Sequence, residues 1–392
     1  MLRSLFSSIS GLRAHQQMMD VTGNNIANVN TAGFKSSQAT FQDTLSQLVQ
    51  AAGAPGNGNG GTNPAQVGLG VRLAGINTNF GQGAVQSTGR GTDLMIQGDG
   101  FFVVRSGNEQ LYTRAGAFNF DTDGRLVASG GRVVQGWMAT NGVIDTNATQ
   151  TDIRLPLGAT VPATKTTTVT VGGNLPADTA SPTPISVSID GYDQQGNKVT
   201  VTTEFTKVSS TEWSATVTHG GATSPAQSVI FAADGSTPAP NSMVFNGITV
   251  DFAKLTSYAG DKTVSVGSQN GSAAGSLQAY TISPDGTLVG VFSNGLKQSL
   301  GQLAMANFNN PPGLEKVGDS MYRTSVNSGV AQLGTAGTGG RGALQGLALE
   351  MSNVDLAQEF TNLIIAQRGF QANSRVITTS DELLQDLVNL KR

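Results

Sequence analysis

Two stretches at opposite ends of the chain space their apolar residues so that only a helix gathers them on one side. Near the C-terminus, Leu356, Phe360, Leu363, Gln367, Phe370, Ser374, Ile377, Asp381 and Leu384 advance by alternating steps of four and three. That is the heptad stripe of a helix that packs along its length. Leu383, Leu387 and Leu390 thicken the final turns, and Ser352-Asn-Val-Asp355 reads as an N-cap with an acid three residues on. A single helix here would run about 58 Å at about 1.5 Å per residue. Thr379-Ser-Asp-Glu382 is a second capping sequence that leaves a break near 379 open.

The N-terminal stripe is shorter. Between Ser4 and Asn28, Leu5, Ile9, Leu12 and Met19 keep the same rhythm, with Gln16 filling the missing step. Gly11 and Gly23 weaken this helix by about 1 kcal/mol each. It ends in Thr22-Gly-Asn-Asn-Ile-Ala-Asn-Val-Asn-Thr-Ala-Gly-Phe-Lys-Ser36, rich in amides and free of acids. Amides both donate and accept, so Asn24, Asn25, Asn28 and Asn30 are expected to knit the helix end to the next chain segment and to serve contacts between subunits, the alternative being a plain C-cap with a polar loop. Phe34 and Phe41 are expected to anchor the connecting strand.

Between the stripes the chain is β-like. Only 12% of residues are charged and 51 are Gly, so hydroxyls and amides must carry much of the polarity. Residues 51–64 (AAGAPGNGNGGTNP) read as a flexible linker or loop. Residues 68 to about 150 alternate short strands with turns such as Gly98-Asp-Gly100 and Ser129-Gly-Gly131, and residues 155–272 are a Thr/Val/Ser-rich all-β stretch. The first style then returns. Phe118-Asn-Phe-Asp-Thr-Asp-Gly-Arg-Leu-Val127 aligns with Tyr280-Thr-Ile-Ser-Pro-Asp-Gly-Thr-Leu-Val289, two hairpins of one design around Asp-Gly. The expected fold is α+β, mostly β. Paired, coiled-coil-like terminal α-helices flank nested all-β domains. The expected domains are 1–50 with 345–392, a discontinuous β domain 65–152 with 275–340, and an inserted outer β domain 155–272.

Chemistry is hard to find. With no cysteine there are no disulfides or thiolate metal sites. Neither His15 nor His219 has a Cys or acid at ligand spacing, so a solvated or core-edge role is the simpler reading. Asp121-Thr-Asp-Gly124 opens like a calcium loop but lacks the closing Glu, so a hairpin turn is favoured. Phe101, Phe102 and Trp137 suit a sheet core better than a stacking platform. No enzyme, cofactor or metal is expected. The net charge of −3 points away from nucleic acid. No apolar run is long enough to insert into a membrane, and the N-terminal segment lacks the sustained apolar core of a Sec signal peptide.

Two helices with one apolar stripe each bury little against one another, and a stripe left open is an aggregation liability. The stripes are therefore expected to meet those of other copies. Heterologous contacts that do not close into a ring build a helical filament.

The chain resembles the axial proteins of the bacterial flagellum, the family of rod and hook subunits. The resemblance rests on Ser8-Ile-Ser-Gly-Leu12, Asn24-Asn-Ile-Ala-Asn28, Gly33-Phe-Lys35, Gly98-Asp-Gly-Phe-Phe102, Tyr112-Thr-Arg-Ala-Gly116, Ser352-Asn-Val-Asp355 and Ala366-Gln-Arg-Gly-Phe-Gln-Ala-Asn373. The insert favours the hook branch, while Met1-Leu-Arg-Ser-Leu5 is somewhat rod-like. The resemblance implies a helical homopolymer, a flexible curved tube that carries torque from rod to filament. It implies rod proteins, hook–filament junction proteins, a hook cap and the flagellar type III export apparatus as partners. It also implies export without a cleaved signal peptide to an extracellular position. The alternatives are a distal rod protein or a secreted β-rich adhesin. The expected assembly interface is Leu5, Ile9, Leu12, Met19, Asn24, Asn25, Ile26, Asn28, Phe34, Leu356, Phe360, Leu363, Phe370, Ile377, Leu384 and Leu387.

Overall fold

The computed structural model describes residues 2–55, 60–156, 158 and 160–389. The chain divides into two compact units, one of residues 1–155, 282–288 and 299–392, the other of 156–281 and 289–298.

In the first unit both terminal stripes are helical. Helix α1 is Leu2–Ala27 and helix α2 is Leu356–Asn389. α2 is unbroken through Thr379, and its 34 residues span about 51 Å. The cap differs from the expected one. The Asp355 carboxylate accepts the Ala357 and Gln358 amides at 2.9 and 3.3 Å, while the Ser352 hydroxyl reaches only the Val354 amide. Asp355 is therefore the N-cap, because the helix begins one turn later than the Ser352 reading placed it.

After α1 the chain forms a long two-stranded ribbon. Strand Ser37–Asp43 pairs antiparallel with Val71–Thr78, and Ser46–Gln50 pairs with Ala65–Gly68. Gly53 and Thr62 exchange backbone hydrogen bonds at 3.0 Å. Residues 51–64 thus close a hairpin and do not link domains; of them, 56–59 lie outside the described residues. The Gly- and Asn-rich tip hid the pairing of the strands on either side.

The β body of this unit draws strands from both sides of the second unit. The hairpin Phe101–Ser106/Glu109–Thr113 pairs with Arg132–Met138 on one side. Residues 305–306 pair with 101–102, 321–322 with 112–113, and 301–303 with 136–138. Leu94–Gln97 joins Ala343–Gly346, and Val85–Ser87 joins Ala348–Glu350. Phe101 sits in an aromatic cluster, its ring centroid 5.4, 5.6 and 5.8 Å from those of Phe80, Phe308 and Tyr322. Phe102 is buried edge-on to Phe118 at 5.0 Å, and buried Trp137 donates to the Ala148 carbonyl at 2.9 Å. The two Asp-Gly turns share one bonding pattern. Gly124 donates to Asp121 O and Asp121 to Arg125 O; Gly286 donates to Ser283 O and Ser283 to Thr287 O.

The second unit is a sandwich. One sheet runs Ser242–Phe245, Ile248–Thr256, Thr168–Asn174, Ser265–Gln269, and its two central strands are parallel. The other runs Pro184–Tyr192, Lys198–Lys207, Glu212–His219, Gln227–Phe231, Pro238–Ala239. Alternate residues of both, among them Val169, Phe205, Trp213, Val217, Val250 and Phe252, form one buried core. That is the period-two pattern of sheets packed on one face. His219 ends a strand before the Gly220-Gly221 turn. Phe205→Ala, which empties a fully buried site 5.5 Å from the Phe252 ring, should lower the stability of this unit by about 3–5 kcal/mol. Urea unfolding followed by Trp213 fluorescence measures it; a loss below about 1 kcal/mol would contradict this packing.

Candidate assembly interface

α1 packs against α2, but through a different stripe from the apolar one. The inward residues of α1 include Ser8, Gly11, Ala14, Thr22 and Asn25, all buried, and half-buried His15. Those of α2 are Glu359, Ala366 and Ser380, buried, with half-buried Gly369 and Asn373. They recur at steps of three, four and seven, so these buried positions keep a heptad of small and polar side chains. The glycines explain how close the helices lie. A Cβ on Gly369 would stand 2.4 Å from His15 Nε2, and one on Gly11 2.8 Å from Asn373 Nδ2. Each glycine therefore leaves space that a side chain from the opposite helix fills, which offsets its cost within a helix.

The large apolar residues of α2 consequently face outward. Phe360, Ile364 and Ile365 are 49%, 57% and 54% exposed, and Leu356, Phe370, Val376 and Leu383 are also exposed. Leu363, Ile377 and Leu384 are half-buried at the border of the seam. On α1, Phe6 is 65% exposed, while Leu5, Ile9, Leu12, Met19 and Ile26 are half-buried. Leu387 lies on α2, but its side chain is outside the described residues, as is all of Leu390. Phe6, Ile364 and Ile365 were missed because they fall off the single stripe counted in the sequence. A second register, read from the recurring glycines, would have shown which face turns outward.

The amide-rich end of α1 forms a joint within the chain. Asn25 Nδ2 donates to Ser37 O at 2.7 Å and Glu359 Oε1 at 2.8 Å, and Asn25 Oδ1 accepts from the Ser37 amide at 3.0 Å. One buried amide thereby ties α1, the ribbon and α2 together. Asn28 caps locally, donating to Asn24 O at 2.9 Å and accepting from Thr31 Oγ1 at 3.1 Å. Asn24 and Asn30 are exposed. Half-buried Phe34 lies under Lys316 Nζ, 5.1 Å from its ring centroid, and Phe41 is exposed on the ribbon.

Just beyond, the stem is fastened to the β body by a buried ion cluster. Lys35 Nζ donates to Glu350 Oε1 at 2.6 Å and Gly81 O at 2.8 Å. Glu350 Oε1 also accepts the Gly83 amide at 2.9 Å, and Arg114 Nη1 lies 3.6 Å from Glu350 Oε2. Arg114 donates to Gly98 O and sits 5.6 Å from the Phe101 ring centroid. Burial pushes both the Lys35 ammonium and the Arg114 guanidinium below their ordinary pKa values, with Glu350 opposing the shift in each. Gly33, at φ 70°, donates its amide to Glu350 O at 2.7 Å. Asn353 accepts the Ser36 amide and donates to Asn79 O and Gly81 O. The motifs around Lys35, Arg114 and Asn353, far apart in sequence, thus meet in one place. Among the described residues no cluster of His, Cys, Asp or Glu could hold a metal ion, and no helix is long and apolar enough to cross a membrane.

Three family models match along the chain. The flagella basal body rod protein model covers residues 5–35, the flagellar hook protein FlgE/F/G D1 domain model residues 95–174, and the flagellar basal body rod FlgEFG protein C-terminal model residues 345–390. They define the class, the axial proteins of the flagellar rod and hook. The chain is 39% identical to the flagellar hook protein FlgE of Borreliella burgdorferi, covering 100% of both chains. It is 37% identical to FlgE of Salmonella typhimurium, over 99% of this chain and 100% of that one. It is also 35% identical to the flagellar basal-body rod protein FlgG of Bacillus subtilis, over 100% of both. The Helicobacter pylori flagellar hook protein FlgE2 structure shares the fold at TM-score 0.53 and 15% identity, over 68% of this chain and 100% of that chain. The chain belongs to the flagellar hook protein FlgE family.

Lys35→Met leaves buried Glu350 with the Gly83 amide at 2.9 Å and Arg114, at 3.6 Å, as its remaining cation. It should cost about 3–5 kcal/mol, the range for removing one partner of a buried pair. Thermal unfolding of the purified chain measures the loss; stability within about 1 kcal/mol of the parent would show that the cluster does not hold the stem.

Proposed function

We propose that the chain is the structural subunit of a bacterial flagellar hook, self-assembling into a flexible curved tube that passes torque from rod to filament. The observation that carries this is the orientation of α2. Its pairing with α1 is satisfied by small and polar residues, so Phe360, Ile364, Ile365 and Phe370 remain for neighbouring copies. Exposed apolar surface of this extent along a helix marks an interaction site, and non-closing contacts between identical subunits give a tube.

Three layers divide the work in this reading. The terminal helices form the inner, adhesive layer through Leu5, Ile9, Leu12, Met19, Leu356, Phe360, Leu363, Phe370, Ile377 and Leu384, joined by Phe6, Ile364 and Ile365. The β body and the Thr-rich sandwich form outer layers whose low-charge polar faces make weak, interchangeable contacts, so rows of subunits shorten or lengthen as the tube turns. The role is mechanical and not catalytic. Rod proteins, junction proteins, the cap and the type III export apparatus are the partners such a subunit needs, at an extracellular position reached without cleavage.

Phe360→Asp and Phe370→Asp test the adhesive layer. Both sites lie on the outward side of α2 and are only partly buried, so each change should cost the single chain about 1–2 kcal/mol and leave it folded. Each should still abolish sedimentable polymer. Normal polymer yield from either variant would remove the outward stripe as the joint.

The B. subtilis FlgG relative supports a distal rod subunit as the second reading. Electron microscopy of cells lacking the chain separates the two. Basal bodies ending at a complete rod are expected; basal bodies without a distal rod would favour the rod reading.

A further inference from the structure

Residues 35–37 carry the chain from the end of α1 into the ribbon, and they are gripped from several sides. Asn25 bonds the amide and the carbonyl of Ser37, Asn353 accepts the Ser36 amide, and the Lys35 ammonium is buried on Glu350 and Gly81 O. The Lys35 carbonyl and the Ser37 hydroxyl accept from a fourth source, Lys316 Nζ, at 3.2 and 2.8 Å. The same ammonium stands 5.1 Å from the Phe34 ring centroid, within reach of a cation–π attraction. Asn25 belongs to α1, and Asn353 to the segment entering α2. The β body therefore holds this crossing at two points, the Glu350 cluster and Lys316.

Lys316 has a firm base. It stands on the hairpin Glu315–Gly318/Met321–Arg323, whose two turn residues, Asp319 and Ser320, take φ 51° and 56°, as a tight antiparallel hairpin requires. Residues 321–322 pair with 112–113, Thr113 Oγ1 donates to Ser320 O at 3.0 Å, and Arg132 Nη1 meets Asp319 Oδ2 at 2.8 Å. Toward the stem, though, the hairpin is not packed. A cleft of about 360 Å³ separates the two, with Asn24, Asn28 and Phe34 on one wall and Ser320, Met321 and Tyr322 on the other. Among the described residues, Lys316 makes every hydrogen bond that crosses from the hairpin to residues 24–37. Its own strand is exposed throughout, so its removal opens no core.

We propose that Lys316 is a positioning residue, a clamp that sets the direction of the helical stem relative to the β body. The buried Lys35–Glu350–Arg114 cluster fixes one point of the crossing and so acts as a pivot. One attachment fixes a position; a second, on the open side, fixes the rotation about it. Without Lys316 the end of α1 is free to swing into the cleft. The clamp stands on the geometry of the single chain, and its effect on tube shape rests on the self-assembly reading above.

Because the chain has no cysteine, two spin labels can be placed without background. Gln16→Cys lies on the exposed side of α1 and Asn108→Cys in the exposed turn between Phe101–Ser106 and Glu109–Thr113. Labelled full-length chain is assembled with excess unlabelled chain of the same variant, and pulsed electron double resonance reads the stem-to-body distance. Lys316→Met keeps the side-chain length and removes the donors. It should shift the mean distance or broaden its spread by roughly 3 Å or more, as expected of a freed hinge, and Lys316→Arg should return both toward the parent. The unfolding midpoint of the Lys316→Met chain should stay within about 3 °C of the parent, which separates a positioning role from a merely structural one. Its polymer should form at parent yield with altered curvature in electron micrographs. A parent-like distance distribution in Lys316→Met would overturn the clamp, and parent-like curvature would overturn its effect on the tube; both leave the self-assembly reading intact. Failure of the unmodified protein to polymerise would overturn that reading, and the same labels read in the single chain then decide the clamp.

Discussion

The structure depends on an economy in the helix pair: its seam uses almost no large apolar side chain. Gly11, Ala14, Thr22, Ala366, Gly369 and Ser380 let the backbones approach, and His15 and Asn373 fill the spaces opposite the glycines. Close approach gains dispersion contact along the whole pair but leaves Phe360, Ile364, Ile365 and Phe370 unused. A leucine-filled seam would have made a more stable monomer with nothing left to attach. Here the stem holds together through shape and polar pairing, and the apolar area of α2 stays exposed.

That stem must also be aimed. Buried Asn25 joins α1, the ribbon and α2, and the Lys35–Glu350–Arg114 cluster bolts the same segment to the β body. Taking three charges out of water is expensive, and each relies on the others and on the carbonyls of Gly81 and Gly98 for compensation. A greasy contact would be as strong and less directional. For a subunit whose neighbours read the angle between stem and body, direction is the more useful property.

Much of this was legible in the sequence. Both helices followed from the 4-3 spacing, the two Asp-Gly hairpins from an internal match, and the mostly β middle from its low charge and Thr/Val alternation. The ribbon was not visible, because its tip is a run of Gly, Asn and Pro that reads as either a linker or a loop. Nor was it visible which helix face turned inward. Apolar counting finds the stripe that leaves the most surface, while the packed stripe is written in glycine, serine and amides. The ion cluster was invisible for another reason: Lys35, Arg114 and Glu350 are lone charges far apart in the chain, and only the fold makes them neighbours.

Pairing the first helix with the last gives the molecule a built-in clock. Contacts between residues roughly 350 positions apart form late, because the longest loop must close before they return any free energy. Until α2 is present, α1 lacks its helix partner and has only the ribbon to lie against. The paired stem is therefore complete only when the whole chain, from α1 to α2, is present.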